Sequence, residues 1–414
     1  MIPRILRRVG LTLLVLCGLV RFVGSGLLPA TQALRGDFGA VFPAPALAAS
    51  LRPDFPINQF WAVWHGDTVW YYGPMFHVLT LPLFLAPSWN MVPPLWALVN
   101  LIAVVAAFAF CWRLAAPASS TARGEHLALL AGLWLLYQPL VNCFAQGNIE
   151  LIELAVILGA IGLAHRGRLV SAGVVLGIGT MTKLLPVGFL VWLGVRGSRR
   201  ALMAGGITIA LIAALTAVTL GWEHSAEVDR FLERFRIVGI KGTMLSFPAL
   251  VASWLGTVDW TPPYPVLPLS PHHRAIALFV GRVVTATLAV AYAALILRRR
   301  RIPATSLDVS LLFLLMFLLL PYQEDYYYLF ALVPLSVLVG IAIASGSRRL
   351  LGVVLLAYVL ISPPIPYSWV DRLGWFPGPF IYITKFYSTP LLGALLLLAT
   401  VTRCWLRDSA SGRR

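Results

Sequence analysis

The chain has 414 residues, of which 59% are hydrophobic and 12% are charged, about half the charged share of a soluble domain. Apolar runs of membrane-spanning length recur from end to end, which predicts an all-α polytopic integral membrane protein with about 10 to 13 crossings. The net charge of +16 comes from short basic clusters between these runs, a positive-inside pattern that excludes nucleic acid as a partner.

The N-terminal segment resembles a secretory signal, because Arg4 to Arg8 precede an apolar run that ends at Leu28. Many apolar runs follow and Arg21 interrupts this one, so we expect an uncleaved first helix; cleavage near Ala30 to Ala33 is the alternative. Outside the apolar runs, no segment is long enough to fold separately. The sequence therefore predicts a single transmembrane domain over residues 1–414.

The basic clusters predict the orientation of the chain, since short cytoplasmic loops carry an excess of Lys and Arg. The clusters are Arg4/Arg7/Arg8, Arg166/Arg168, Arg196/Arg199/Arg200, Arg298 to Arg301, Arg348/Arg349 and Arg413/Arg414. The segments that then face the external side are residues 30–72, Gln146 to Asn148, the region of Lys183, residues 222–273, Tyr322 to Tyr328 and residues 363–388. We expect a plasma (inner) membrane protein with a cytoplasmic N-terminus.

Two segments do not fit simple spans. Residues 74–112 have the length of two crossings, but Arg113 and Arg123 favour the cytoplasmic side, which requires an odd number. Either one segment is re-entrant or the rule fails there. The segments on each side of Lys183 to Pro186 are too short for two complete spans, and a broken helix that opens into a protein cavity would explain them.

The first predicted external loop, residues 30–72, contains a candidate general base. Asp37 is one of 16 carboxylates in the chain and lies where the first helix should leave the membrane. A helix cap or a loop acid is the structural alternative. Asp54 follows Pro53, as in a turn, and Asp67 has aromatic neighbours that favour binding of a polar ligand.

A second group of polar residues follows an apolar run and includes Gln146 and Asn148. Glu150 and Glu153 are three residues apart, so they share one face of the helix predicted to begin here. Acids in an apolar run indicate function, because an unpaired charge near the membrane interior is costly. Stabilisation by the helix N-terminus is the alternative. We expect Glu150 to be nearer the surface and to act as a simple cap.

Lys183 is the one charged residue between Arg168 and Arg196. A lysine at a helix break in an apolar stretch is suited to binding a phosphate as a point charge. The alternative is a side chain that extends to the membrane interface.

A tyrosine-rich segment lies between two late apolar runs. An aromatic belt at the membrane interface accounts for its tyrosines, Tyr326 among them. It does not account for Gln323, Glu324 and Asp325, which we expect to bind sugar hydroxyls or to orient a basic group.

The external loop at residues 222–273 begins with an amphipathic charged part, Glu223 to Lys241, that can lie in the membrane plane over a cavity. It ends at His272 and His273, which as neighbours on a helix point in different directions. No cluster of His, Cys and acidic residues has the spacing of a zinc site, and no metal or cofactor is predicted.

These segments together resemble the integral membrane enzymes of glycosyltransferase family 87. This family contains polyprenol-phosphate-mannose-dependent alpha-mannosyltransferases and belongs to the C-type glycosyltransferase superfamily. The resemblance runs in order through Asp37-Phe38, Tyr71-Tyr72-Gly73-Pro74, Gln146-Gly147-Asn148, the glycines 167, 173 and 177, and Lys183-Leu184-Leu185-Pro186. The order and spacing of the last three groups are its most distinctive part.

The resemblance implies that Asp37 is the catalytic base and that Lys183 lies near the donor phosphate. It also implies a polyprenyl-phosphate sugar donor, with mannose favoured, a lipid-linked or envelope-glycan acceptor, inversion, and no metal. The full set of predicted substrate-binding residues is Lys183, Tyr71, Tyr72, Asp67, Gln146, Asn148, Glu150, Gln323, Glu324, Asp325 and Tyr326.

The chain departs from the family at two places. Tyr326 stands where members commonly have a histidine, and the family's late Asn/Ser-containing stretch is replaced by Gly242 to Ser246. A transporter or flippase for lipid-linked saccharides is the main alternative, because a broken helix and intramembrane charges also suit that class. A non-catalytic membrane partner in an envelope-polymer assembly is the second.

Overall fold

The structure is a computed structural model that describes residues 2–32, 83, 86, 88–115, 120–220, 245–256, 267–299, 304–320, 323–364, 367–374, 383–385 and 387–411. These residues form helices and turns, and this part of the chain contains no β-strand. The predicted all-α class is confirmed.

The helices are named here in chain order. Those before residue 221 are α1 (Ile2–Arg21), α2 (Leu28–Gln32), α3 (Val92–Ala115), α4 (Ser120–Leu136), α5 (Gln138–Gln146), α6 (Glu150–His165), α7 (Leu169–Thr182), α8 (Pro186–Val195) and α9 (Arg199–Leu220). Those after it are α10 (Phe247–Leu255), α11 (Pro271–Arg299), α12 (Ser306–Leu318), α13 (Leu332–Ala344), α14 (Arg348–Ile361), α15 (Tyr367–Arg372) and α16 (Thr389–Ser411). A π-helix (Phe22–Leu27) joins α1 to α2, and 3₁₀-helices (Trp89–Met91 and Asp325–Ala331) precede α3 and α13.

Within the described residues, five helical stretches are long and apolar enough to cross a membrane. They are Arg7–Gln32, Val92–Ala115, Pro271–Ala294, Asp325–Ala344 and Thr389–Asp408. A sixth arises if α4 and α5, which meet at an angle of 53°, form one bent span. The protein is thus multi-pass, whereas the count of about 10 to 13 crossings for the whole chain stays a prediction.

The helix break at Lys183 is confirmed. α7 has 14 residues and α8 has 10, and Lys183 between them has an extended backbone. At 1.5 Å per residue these helices are roughly 21 Å and 15 Å long, and each is shorter than the ~30 Å hydrocarbon layer. In the ambiguous segment before Arg113, α3 supplies one crossing, and residues 74–82 lie outside the described residues.

The chain divides into two compact units, and three of the four boundaries between them fall within α1, α3 and α5. The first consists of Met1–Leu19, Cys111–Leu140 and Arg234–Arg414, and the second of Val20–Phe110 and Val141–Glu233. That residues 1–414 act as a single membrane domain stays a prediction.

In the first unit, several buried polar side chains pair with one another or with backbone oxygen atoms. The indole of Trp134 donates to the Ser336 hydroxyl at 3.1 Å, and the Tyr137 hydroxyl donates to the carbonyl of Tyr328 at 2.8 Å. The indole of Trp405 donates to Asp308 at 2.9 Å. Such pairing is required because an unsatisfied polar group in an apolar interior costs free energy.

In the second unit, α7 and α9 are in very close contact. A Cβ atom at Gly173 would lie 2.1 Å from the carbonyl oxygen of Ala201, and one at Gly177 would lie 2.8 Å from that of Gly205. Small residues four apart on both helices allow this approach, as in membrane helix pairs generally. Because both residue numbers increase together, α7 and α9 run parallel.

The turns of the second unit divide its charges between two ends. α6 and α7 join through Arg166 to Arg168, and α8 and α9 join through Arg196 to Ser198. Both turns lie at the same end, since α6 and α7 form a hairpin and His165 is within electrostatic range of Arg196. Lys183 lies at the other end, which agrees with the grouping predicted from the sequence.

Gly173→Ala should lower the free energy of unfolding by about 1–3 kcal/mol, because the new methyl group has no space beside the Ala201 carbonyl. Gly159→Ala is the matched control: nothing lies within 4 Å of its added Cβ, and alanine favours a helix. Thermal unfolding of both purified variants in detergent would measure this. Equal melting temperatures would contradict the proposed close contact.

Candidate active site

A buried ion pair joins the start of α6 to the end of α7. The ammonium group of Lys183 donates to the Oε1 atom of Glu150. The Glu150 side chain is 0% exposed and that of Lys183 is 12% exposed. Glu150 was expected to be a surface cap, and this is wrong: the N-cap of α6 is Ile149, and Glu150 faces inward to neutralise the lysine.

The pairing follows from the helical hairpin. Because α6 and α7 run antiparallel, the first residue of α6 meets the residue that follows α7. Neither charge is tolerable alone in an apolar interior, so each stabilises the other. The N-terminus of α6 also favours negative charge, which stabilises Glu150 further. The side chain of Lys183 is therefore directed into the second unit, toward Glu150.

Glu153 lies one turn further along α6 on the same face, as the sequence predicted. Its side chain is 4% exposed and lies within electrostatic range of both Lys183 and Glu150. Within the described part of the chain, neither oxygen of its carboxyl group has a hydrogen-bond partner.

A tight turn between α5 and α6 positions Asn148. Gly147 has φ +65°, a left-handed conformation that favours glycine, and its carbonyl accepts a 2.8 Å hydrogen bond from the indole of Trp96. Asn148 is fully buried, and among the described residues its side-chain amide has no hydrogen-bond partner. Gln146, by contrast, is exposed.

Sequence reasoning missed Asn100 on α3. It is 1% exposed, and its amide likewise has no partner in the described ranges. Asn100 lies one helical turn after Trp96, which is bonded to the turn before α6. The available signal was that Asn100 is the one amide in α3 and lies in the apolar run that precedes Arg113, where a polar residue usually marks function.

Two contacts give the depth of Asn100 along α6. Trp96 binds Gly147, and Phe110 touches the position of Gly162, so α3 and α6 run parallel. Four residues beyond Trp96, or about 6 Å at 1.5 Å per residue, Asn100 is level with the first turn of α6. That turn contains Glu150 and Glu153.

This region contains one cation, the ammonium group of Lys183. It also contains amide and carboxyl side chains that accept or donate hydrogen bonds. An ammonium group is suited to a phosphate, whereas amides and carboxylates are suited to hydroxyl groups. A buried polar group without a partner costs about 1–3 kcal/mol, so three of them in one region need an explanation. A bound polar ligand or ordered water would satisfy such groups.

The late tyrosine-rich segment lies in the first unit. There the side chain of Gln323 forms hydrogen bonds to the backbone. Its amide nitrogen donates to the carbonyls of Phe317, Leu318 and Leu320, which caps the end of α12. This favours a structural role for Gln323.

The neighbouring polar residues of that segment are only partly accessible. Asp325 forms an ion pair with Lys385 at 3.5 Å, a partner that sequence reasoning missed. Tyr326 is buried against the ring of Tyr327, and Glu324 is partly exposed. Substrate binding by Glu324, Asp325 and Tyr326 stays a prediction.

Several predicted site residues lie outside the described residues, namely Asp37, Asp67, Tyr71 and Tyr72. Their roles also stay predictions. Among the described residues, no group of three or more His, Cys, Asp or Glu side chains lies close enough together to hold a metal ion.

Comparison with protein families gives a match that covers most of the described second unit's range. The model of glycosyltransferase family 87 matches residues 70–321, which is more than half of the chain. The matched range contains Asn100, Glu150 and Lys183, but it begins after Asp37 and ends before Gln323. No curated protein matches the chain.

Lys183→Met should lower the free energy of unfolding by about 3–5 kcal/mol, because it leaves Glu150 buried without its cation. A second substitution, Glu150→Gln, should recover much of that loss. Equilibrium unfolding in mixed micelles, followed by tryptophan fluorescence, would measure both.

The matched control is Glu125→Gln, which breaks an ion pair to Arg7 whose side chains are 30% and 59% exposed. We expect it to cost less than about 1 kcal/mol. If Lys183→Met is as stable as the control, the buried pair does not stabilise the second unit.

Proposed function

The chain belongs to glycosyltransferase family 87, and from this premise we propose that it transfers a sugar from a polyprenyl-phosphate donor to a lipid-linked or envelope-glycan acceptor. That it is a membrane glycosyltransferase follows from the family and from its several membrane-spanning helices. The finer proposal is carried by the Lys183 site, which lies inside the matched range.

The position of Lys183 supports a lipid-linked donor. It lies at the end of α7, roughly 21 Å from the arginine-rich turns, and so about 10 Å short of a complete crossing. A phosphate attached to a lipid tail can reach such a depth from within the bilayer, whereas a nucleotide sugar would have to leave water. The partner carboxylate of Glu150 fixes the direction of the ammonium group.

Asp37 is the proposed general base. It takes the proton of the acceptor hydroxyl as the acceptor oxygen attacks the anomeric carbon on the face opposite the phosphate. The bond between that carbon and the phosphate oxygen breaks, the polyprenyl phosphate leaves, and the anomeric configuration inverts. A phosphate leaves without help from an acid, so one base is sufficient.

Lys183 would stabilise the charge that develops on the phosphate as this bond breaks. No metal ion is needed for this chemistry, because the lysine supplies the positive charge. Mannose is the favoured sugar on the basis of the family resemblance.

The proposed active site faces the external side of the plasma (inner) membrane. Support comes from the second unit, where Arg166, Arg168, Arg196 and Arg199 share the end opposite Lys183. Under the positive-inside rule, the arginine end is cytoplasmic. The same rule gives a cytoplasmic N-terminus.

Asp37→Asn should leave the protein folded and reduce transfer by roughly 10²–10⁴-fold, because the acceptor then has no base. The assay uses purified protein in lipid, a panel of polyprenyl-phosphate sugars and a membrane-lipid extract. Asp54→Asn, in the same predicted loop but beside Pro53, is the matched control and should retain transfer.

Normal transfer by a well-folded Asp37→Asn variant would refute this base. If the wild type instead moves lipid-linked sugar across vesicle membranes without breaking the sugar–phosphate bond, the transporter hypothesis replaces the proposal.

Lys183→Ala should raise the KM for the donor by roughly 10–100-fold, the range expected for loss of a hydrogen bond to a charged group. Because this variant can also lose stability, the neutral pair Lys183→Met/Glu150→Gln is tested beside it. The double variant should fold well but keep the raised KM. Wild-type KM in the double variant would limit Lys183 to a structural role.

A further inference from the structure

We propose that Asn100, Asn148 and Glu153 form the subsite that binds the hydroxyl groups of the donor sugar. The inference rests on the proposed function, since it concerns the sugar attached to the phosphate that Lys183 would hold. It assigns a role to Asn100 and Glu153, which the mechanism above does not use.

The first argument is burial without partners. Asn100 is 1% exposed, Asn148 is 0% exposed and Glu153 is 4% exposed. Across the described residues, no oxygen or nitrogen of these three side chains makes a hydrogen bond. Buried amides and carboxylates are rarely left unsatisfied, and each such case calls for a specific cause.

The second argument is position. Asn148 immediately precedes α6, and Glu153 lies in its first turn. Asn100 is level with that turn, because Trp96, one turn before it on α3, binds Gly147. The three side chains therefore belong to one region, at the same end of the second unit as Lys183.

The third argument is chemistry. A sugar ring presents several neighbouring hydroxyl groups, each of which donates and accepts hydrogen bonds. An asparagine amide offers two donors and an acceptor, and a carboxylate accepts from two hydroxyls at once. In a donor, the ring is bonded directly to the phosphate, so a hydroxyl-binding group must lie beside the phosphate site. Glu153 meets this requirement, since it is within electrostatic range of Lys183.

Direct binding measurements test this subsite separately from catalysis. The probes are polyprenyl-phosphate mannose, polyprenyl-phosphate glucose and polyprenyl methyl phosphate, a phosphodiester of the same charge without a sugar. Each is titrated into protein in nanodiscs. The measured quantity is a ratio of two dissociation constants. It is the Kd of polyprenyl methyl phosphate divided by the Kd of whichever sugar lipid binds more tightly.

We expect the wild type to prefer a sugar lipid by at least about 10-fold, the effect of a few hydrogen bonds. Asn100→Leu and Glu153→Gln should each reduce this ratio roughly 3–10-fold. Lys183→Met/Glu150→Gln should weaken all probes alike and so preserve the ratio. The matched control is Asn90→Leu, because Asn90 is exposed in the turn before α3. This variant should bind the probes as the wild type does.

Stability separates recognition from a structural role. Asn100→Leu removes an unsatisfied amide, so its melting temperature should equal or exceed that of the wild type even as sugar preference falls. If that variant does not fold, the isosteric Glu153→Gln still decides the question.

An unchanged ratio in the folded variants would overturn the subsite and leave the proposed donor intact. Equal binding of the sugar lipids and the methyl lipid by the wild type would also overturn the subsite without affecting the proposed donor. If the wild type binds none of the three probes, the donor proposal fails, and this inference fails with it.

Discussion

Two opposite charges buried in an apolar surrounding hold the second unit together. Glu150 is the first residue of α6 and Lys183 follows the last residue of α7, so their ion pair closes the open end of a helical hairpin. Either charge alone would be strongly destabilising. The ammonium group of Lys183 is consequently directed at the carboxylate of Glu150.

The break between α7 and α8 is partly enclosed by protein, since Leu185 and Pro186 are buried whereas Leu184 is 53% exposed. Backbone that is not helical is not tolerated in contact with lipid, since its polar groups have no water to bind. Gly173 and Gly177 let α7 approach α9 more closely than any larger side chain would, and Gly179 similarly accommodates Pro186 at the start of α8. Close backbone packing and a helix break thus depend on the same glycine-rich stretch.

The polar groups of the second unit fall into two kinds with different consequences. The ion pair is internally balanced and stabilises the fold. Asn100, Asn148 and Glu153 have no partners among the described residues, so they cost stability where the ion pair contributes it. A fold that keeps such groups beside a buried lysine is well suited to a ligand with both a phosphate and hydroxyl groups. This agrees with the membership of the chain in a glycosyltransferase family.

Local pattern determined the membrane class, the helix break at Lys183 and the shared face of Glu150 and Glu153, because each follows from hydrophobicity, helix length or the 3.6-residue period. It did not determine that Glu150 is buried, since its partner Lys183 is 33 residues away. The level of Asn100 beside the first turn of α6 was also not determined, because it depends on how α3 packs along α6. Sequence patterns describe one helix at a time, whereas the partner of a buried charge is decided only when helices distant in sequence pack together.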